Sequence, residues 1–148
     1  MGVLEFGPGA GGPPAFGSVA VNDVLCDGTG RAKVFMLECD GELYMACLWL
    51  PRAAAARQAS VYRMDFSEQR WRLVEDVGDN AFFVAPFNFA ASCAAGKYGI
   101  RKNCIYSADP LAEKSVKAFD IADGTAQVHS LEDFLPGEID RSLWIMPN

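Results

Sequence analysis

Short apolar runs separated by turn-forming residues make up most of the chain beyond residue 33. Runs of this kind between Gly, Asp, Asn and Ser are typical of β-strands. The pattern predicts strands at residues 34–39, 43–50, 60–66, 71–76, 81–85, 103–107, 116–121 and 127–131. The stretch 52–58 contains four alanines but no apolar stripe, so we predict a variable connection there rather than a packed helix. The expected fold class is all-β, with antiparallel strands.

The first predicted hairpin turns at Asp40-Gly41, a pair that tolerates the positive φ angles of a two-residue type I′ turn. This register places Leu37 opposite Tyr44. The other face of the hairpin carries Val34, Met36, Glu38, Leu43, Met45 and Cys47. Both faces are mostly apolar, as expected of a sheet packed on both sides, such as a blade of a β-propeller. Asp123-Gly124 is a second hairpin signal.

One short motif occurs twice. Residues 61–65 and 116–120 share Val-x-x-apolar-Asp at a separation of 55 positions, and each copy is followed by a turn and another predicted strand. A period near 50 is that of kelch-type propeller blades, although two unrelated hairpins of a sandwich would also explain the motif. Asp65 and Asp120 end their strands, so we expect their carboxylates to bind backbone N–H groups of the turns.

The first 33 residues form a Gly/Pro-rich leader that we expect to be partly irregular. Gly7, Gly9 and Gly12 satisfy the G-x-G-x-x-G spacing of dinucleotide-binding loops. Such a loop must open a helix whose N-terminus faces the pyrophosphate, whereas here Pro13 and Pro14 follow. We therefore assign no cofactor to this stretch.

The composition of the 148 residues excludes several classes of protein. The formal net charge of −6 disfavours nucleic acid as a partner, because phosphate binding needs a basic surface. No apolar run approaches the ~18 residues of a membrane span. The arginines of residues 52–72 give that segment a local positive charge, which we interpret as a solvated face.

The five cysteines point to a reducing compartment. They are Cys26, Cys39, Cys47, Cys93 and Cys104, and no two stand in a C-x-x-C pair. An odd number of cysteines, without a glycosylation sequon or a signal peptide, favours a cytoplasmic or nuclear protein. Cys39 and Cys47 lie on opposite faces of the predicted hairpin, so they cannot form a disulfide in that register.

Five segments follow one another in an order that matches a known domain. They are residues 37–47 (similar to LVE-x-DGELL-x-V), 60–71 (VYKLD-x-x-x-x-x-W), 77–84 (LGDRALFLG), 102–109 (GNCIYFTDD) and 118–124 (VFDLEDG). The chain thus resembles the KIB-type β-propeller domain, a domain of unknown function usually carried C-terminal to an F-box in plant proteins. The resemblance covers residues 34–148 and implies a partial, kelch-like propeller of about three blades.

The resemblance implies a function in recognition. In this family the propeller is associated with substrate recognition for ubiquitin ligases or with protein–protein contact. We expect no F-box before residue 34, so the sequence alone does not extend the ubiquitin-ligase link to this chain. Lys102 stands where the family usually has a glycine.

Residues with chemical potential do not assemble into a recognisable site. His129 is the single histidine, and a lone histidine in a short strand is more often structural. We expect Cys39, Cys47 and Cys104 to be small core residues, and we expect Trp71 to pack between blades. Phe82, Phe83, Phe87 and Phe89 are interpreted as core. We therefore predict no catalytic, cofactor-binding or metal-binding residue, and we assign no partner-binding residue.

Two classes of function remain after these exclusions. The first is a non-enzymatic protein-interaction module of the propeller type, or a truncated form of one. The alternative is a small independent β-sandwich or barrel that binds a small ligand. For the first class we expect a protein partner, or self-association through a blade face left uncovered in the hairpin 34–47.

Overall fold

The architecture is almost entirely β. The computed structural model describes residues 2–5, 15–18, 32–49, 58–86, 88–108 and 115–130, with backbone alone for the first two ranges. Its elements are β1 (Gly2–Glu5), β2 (Ala15–Ser18), β3 (Ala32–Cys39), β4 (Glu42–Trp49), β5 (Ala59–Asp65), β6 (Arg70–Val74), β7 (Asn80–Ala85), β8 (Phe89–Ala94), α1 (Ala95–Tyr98), β9 (Cys104–Ala108), β10 (Ser115–Asp120) and β11 (Ala126–Ser130). No helix within these ranges is long and apolar enough to cross a membrane.

The described strands form three sheets. Strands β3, β4, β5 and β6 pair in sequence order as a four-stranded meander, and β1 pairs with β2. The five-stranded sheet has the order β11-β10-β9-β7-β8. The predicted antiparallel pairing is confirmed for every described pair except β7 and β9, which run parallel. Along the sequence, β8 and α1 follow β7 and bring the chain back to the end of the sheet where β7 begins. Strand β9 therefore starts at the same end as β7 and runs parallel to it.

The predicted strands agree with the observed ones to within two residues at each end. The strand that the pattern missed beyond the leader is β8, whose sequence Phe-Ala-Ala-Ser-Cys-Ala contains no β-branched residue. Two more strands, β1 and β2, lie in the leader, where an irregular segment is expected. The predicted connection at 52–58 lies outside the described residues except for Gln58.

The two hairpin signals have different outcomes. Asp40 and Gly41 have φ angles of 53° and 78°, and Leu37 pairs with Tyr44, so the predicted two-residue turn and register are confirmed. The turn at Asp123-Gly124 is not of this kind. The N–H of Gly124 donates to the carbonyl of Asp120, and the loop between β10 and β11 has five residues, 121–125. The Asp120 carboxylate starts this turn early by accepting the N–H of Ala122.

The main core lies between the four-stranded and five-stranded sheets. Its buried members are Phe35, Leu37, Cys39, Ala46, Leu48, Ala59, Val61, Val77, Phe82, Val84, Ile105, Phe119 and Ile121. Phe82 is fully buried, and its ring meets that of Tyr44 edge to face at 5.4 Å. Phe82 and Phe83 are buried as predicted. The prediction for Phe89 is wrong, because this residue lies on β8 at the edge of its sheet and is exposed. Phe87 lies outside the described residues.

Polar contacts tie the two sheets together at several points. The hydroxyl of Ser92 on β8 donates to the carbonyl of Glu38, and the amide of Asn80 donates to the Asp40 carboxylate. At the other end of the four-stranded sheet, the N–H of Gln58 donates to the carbonyl of Gly124. The five-stranded sheet is therefore fixed across one face of the meander from the Asp40 turn to the start of β5.

Asn103 joins three segments at the start of β9. Its side-chain oxygen accepts the N–H of Val77, and its side-chain amide donates to the carbonyl of Glu75, both at 3.0 Å. Its backbone N–H donates to the carbonyl of Asn80, and its carbonyl accepts the N–H of Ile121. The residue has a φ of 54°, a left-handed conformation that Asn tolerates better than most residues.

Candidate interaction surface

The four-stranded sheet has a second apolar face, because successive side chains of a strand point to opposite sides. One face packs against the five-stranded sheet through the main core. The strand register collects a different set of side chains on the opposite face. This set, called the methionine face below, consists of Val34, Met36, Leu43, Met45, Cys47, Trp49, Tyr62, Met64, Trp71 and Leu73. The predicted double-sided apolar hairpin is thus confirmed and extends over four strands.

One row of the methionine face crosses the whole sheet. Met36, Met45, Tyr62 and Leu73 are successive neighbours on β3, β4, β5 and β6. Met36 is 42% exposed and Leu73 is 49% exposed, whereas Met45 between them is buried. Met45 and Met64 are buried but belong to neither hydrophobic core formed by the described residues. The face therefore shows large apolar side chains to solvent at both edges of the sheet.

The side chains of this face are those of an interaction surface. Methionine, tryptophan and tyrosine are enriched in protein interfaces, and methionine adapts its shape to a partner. The polar groups on the same side are already bonded. Trp49 Nε1 donates to the hydroxyl of buried Ser60 at 3.2 Å, and the Glu38 carboxylate accepts the N–H of Gly41 at 2.6 Å. A partner would thus meet an apolar surface without unpaired polar groups in these positions.

The turn between β5 and β6 displays an exposed aromatic ring. Phe66 is 57% exposed at the start of this four-residue turn. Asp65 fixes the turn, since its Oδ1 accepts the N–H and hydroxyl of Ser67 and the N–H of Glu68. These bonds and the Arg72 guanidinium hold the pKa of the Asp65 carboxyl well below its usual range. The predicted turn-forming role is confirmed for Asp65 and for Asp120.

Arginine side chains around this turn are paired with carboxylates. Arg72 bridges Asp65 and Glu68, Arg70 also reaches Glu68, and Arg63 lies 3.6 Å from Glu42. Their side chains are roughly half exposed, so each pair contributes little to stability. The local positive charge in the described part of 52–72 is therefore neutralised on the surface, in agreement with a solvated face.

The cysteines and the histidine do not come together. Cys39, Cys47 and Cys104 are buried as predicted, and burial raises the pKa of the Cys47 thiol to about 11, which disfavours the reactive thiolate. His129 lies exposed on β11. Within the described ranges no three His, Cys, Asp or Glu side chains are grouped as metal ligands. Cys26 and the glycine pattern at 7–12 lie outside the described residues.

The geometry of the four-stranded sheet is typical of one class of β-protein. A four-stranded antiparallel meander that is packed on one face and apolar on the other is built like a blade of a propeller-type β-protein. The sequence model of the family described as KIB1-4 beta-propeller matches residues 4–122, which is most of the chain. The chain belongs to this family. The match includes most of the Gly/Pro-rich leader. No curated protein and no solved structure is significantly similar to the chain.

Sequence reasoning missed two of the surface residues. Phe66 was expected as the last residue of a strand, and Leu73 as an ordinary residue of the next strand. The predicted strands together with the turn length would have placed Leu73 on this face, because Tyr62 and Leu73 pair across the β5–β6 hairpin. The signal for Phe66 was weaker, since only the hydrogen bonds of Asp65 show that the turn begins there. Trp71, expected between blades, lies half-buried on the methionine face.

Proposed function

We propose that the chain is a non-enzymatic protein-interaction module that works in the cytoplasm or nucleus. The observation that carries this proposal is the exposure of three large apolar side chains, Met36 and Leu73 at the two edges of the methionine face and Phe66 on the adjoining turn. Large apolar groups that stay exposed on a rigid sheet are typical of partner-binding sites. Membership of a propeller family supports the same conclusion, because propellers present rigid surfaces for binding.

Recruitment of ubiquitin-ligase substrates is the finer role that the family resemblance suggests. In that case the partner bound at this surface is a protein whose lifetime in the cell depends on the chain. The alternative of a small-molecule binder predicts a ligand that raises the thermal stability of the purified chain and does not compete with protein partners.

A photo-crosslinking experiment tests the proposal. The photoreactive residue p-benzoylphenylalanine replaces Phe66 in the full chain, which is then expressed in cells and irradiated. The matched control carries the same residue at Val128, which is 66% exposed on β11 of the other large sheet. We expect a discrete crosslinked protein from position 66 and not from position 128. Equal or absent crosslinking at both positions contradicts the proposed surface, and partner turnover measured with and without the chain tests the ligase role.

A further inference from the structure

Strand β6 has an outer edge that pairs with no described strand. The two larger sheets have four edge strands, β3 and β6 in the meander and β8 and β11 in the five-stranded sheet. The edges β3 and β8 lie beside each other, since the hydroxyl of Ser92 on β8 donates to the carbonyl of Glu38 on β3. Along an edge strand, alternate backbone N–H and C=O groups are directed outward. The outer edge of β6 therefore offers the hydrogen-bonding groups to which a further strand can pair.

The side chains of β6 alternate between charged and apolar. Trp71 and Leu73 belong to the methionine face. Arg70 and Arg72 lie on the other side of the sheet, and their side chains are roughly half exposed. The carboxylates that pair with these arginines belong to β5 and to the turn before β6. Strand β6 itself thus carries two positive charges and no negative one.

The repeated Val-x-x-x-Asp motif belongs to a pair of strands, called a unit below, that occurs twice. Strands β10 and β11 pair in the same register as β5 and β6, shifted by 55 positions. The shift places Thr125 and Gln127 of the second unit where the first unit has Arg70 and Arg72. Charged side chains often protect an edge strand from unwanted pairing, but the same edge of the second unit has none at these positions. The architecture of the unit therefore does not require the two arginines.

Exposed apolar side chains lie beside the outer edge of β6. Phe66, on the turn that leads into β6, is the counterpart of Ile121 under the same shift. Ile121 is fully buried in the main core, whereas Phe66 and Leu73 are about half exposed. A strand added about 4.8 Å from β6 would bring its side chains into contact with those of Trp71 and Leu73. Such a strand would reduce the exposure of the apolar groups at this edge.

A second copy of β6 fits this edge poorly. In the antiparallel register that pairs all five residues, Arg72 lies opposite Arg72 of the other copy, and like charges at opposite positions destabilise a strand pair. A shift by one residue places the methionine faces of the two copies on opposite sides of the shared sheet. Carboxylates opposite the arginines would instead form favourable cross-strand pairs, since each half-exposed guanidinium has five N–H donors.

We propose that β6 binds an extended segment of a partner protein, which adds to the four-stranded sheet as a fifth strand. The side chains of the segment alternate, with acidic residues on the side of Arg70 and Arg72 and apolar residues on the side of Trp71 and Leu73. Backbone hydrogen bonds to β6 provide affinity, and the alternating side chains provide specificity. This inference rests on the proposed function and names the chemistry of the segment that binds at this surface.

Selection from a random octapeptide library on the purified full chain tests the proposal. We expect the enriched peptides to alternate acidic and apolar residues. N-methylation of alternate backbone nitrogens in such a peptide should weaken its binding at least about tenfold, because those N–H groups bond to β6. N-methylation at the intervening positions should have a smaller effect. No enrichment, enriched peptides without alternation, or equal sensitivity at both sets of positions overturns the proposal.

A charge exchange locates the binding site on β6. In fluorescence anisotropy with a selected peptide, Arg72→Glu should weaken binding at least about tenfold. Binding should recover when lysines replace the acidic residues of the peptide. Arg70→Gln is a milder second variant with the same expected direction, and Gln127→Glu, at the counterpart position of Arg72, is the matched control and should bind like the unaltered chain. Circular dichroism checks the fold of each variant.

Three outcomes of the variant series overturn the proposal. The first is unchanged binding in folded Arg72→Glu and Arg70→Gln. The second is self-association of these variants that the unaltered chain lacks, which would assign the arginines to protection of the edge. The third is loss of binding in Met36→Lys, at the opposite edge of the sheet, without an effect of the arginine variants. In each case a protein crosslinked to position 66 in cells leaves the proposed function standing, whereas the absence of that crosslink refutes the proposed function itself.

Discussion

Asn103 offers a direct test of how the loops before β7 and β9 are held together. Replacement by Ala removes the acceptor of the Val77 N–H and the donor to the Glu75 carbonyl. Val77 is buried, so its unpaired N–H costs about 1–3 kcal/mol, whereas the exposed carbonyl can turn to water at a smaller cost. Ala also tolerates the positive φ less well than Asn, which adds about 1 kcal/mol. We expect Asn103→Ala to lower the free energy of unfolding by about 3 kcal/mol.

A set of variants separates these contributions. Asn103→Gly loses both side-chain bonds but accepts the positive φ, so it should be about 1 kcal/mol more stable than Asn103→Ala. Asn103→Asp keeps the acceptor for Val77 and loses the donor to Glu75. Asn88 also has a positive φ, 61°, and makes no side-chain hydrogen bond to another described residue. Asn88→Ala is therefore the control, with an expected loss of about 1 kcal/mol.

Urea denaturation followed by circular dichroism, at a concentration where the chain is monomeric, measures these differences. We expect Asn103→Ala to be clearly more destabilising than Asn88→Ala. If the two variants lose equal stability, the hydrogen bonds of Asn103 contribute nothing beyond its conformation, and the proposed joining role is refuted. A loss below about 0.5 kcal/mol for Asn103→Ala would refute both contributions.

The other predictions concern the core, the turn and the histidine. Phe82→Ala should cost about 3–5 kcal/mol in urea denaturation, because the ring is fully buried between the sheets, and a loss below 1 kcal/mol would contradict that packing. Asp65 has a lowered pKa, so its stabilisation is complete above its unfolded pKa near 3.8 and is lost as the pH falls below it. The stability difference between the unaltered chain and Asp65→Asn should therefore stay constant above pH 5 and shrink below pH 3.8, and a pH-independent difference would contradict this. His129→Ala should leave partner binding nearly unchanged, since the side chain is exposed on β11, and loss of binding with an intact fold would reveal a role for it.

Much of the strand pattern could be predicted, because the alternation of apolar and polar residues and the turn-forming residues indicate the same strand boundaries. Asp40-Gly41 fixes the first hairpin, and the alternation of β3 then follows, with Leu37 buried and Met36 exposed. Strand β8 escaped prediction because its alanines and serine carry no strand propensity. Its place is decided by pairing with β7, which is a tertiary effect. The parallel pair of β7 and β9 is likewise set by the path of the chain through β8 and α1.

The surface could be predicted only in part from the sequence. The two-sided hairpin 34–47 follows from alternation, but which face is covered depends on where the five-stranded sheet packs. The repeated motif was visible at 61–65 and 116–120, yet its extension to Phe66 and Ile121 needs the strand register and the loop geometry. Both residues are apolar, so a pattern of apolar and polar positions gives them the same interpretation.

The contrast between Phe66 and Ile121 connects the fold to its use. Asp65 pairs with Arg70, and the Asp120 N–H donates to the carbonyl of Thr125, so four residues separate the paired positions in both turns. Each Asp carboxylate accepts the N–H two residues later, the fourth residue has a positive φ, and an apolar residue directly follows the Asp. In one unit that side chain is buried against a neighbouring sheet, and in the other it is exposed. Phe66 keeps more than half of its surface in water, so its side chain gains less from burial than Ile121 does. Its placement is explained by a neighbour that would cover it, which is the reason to search for the partner at the outer edge of β6, beside this turn.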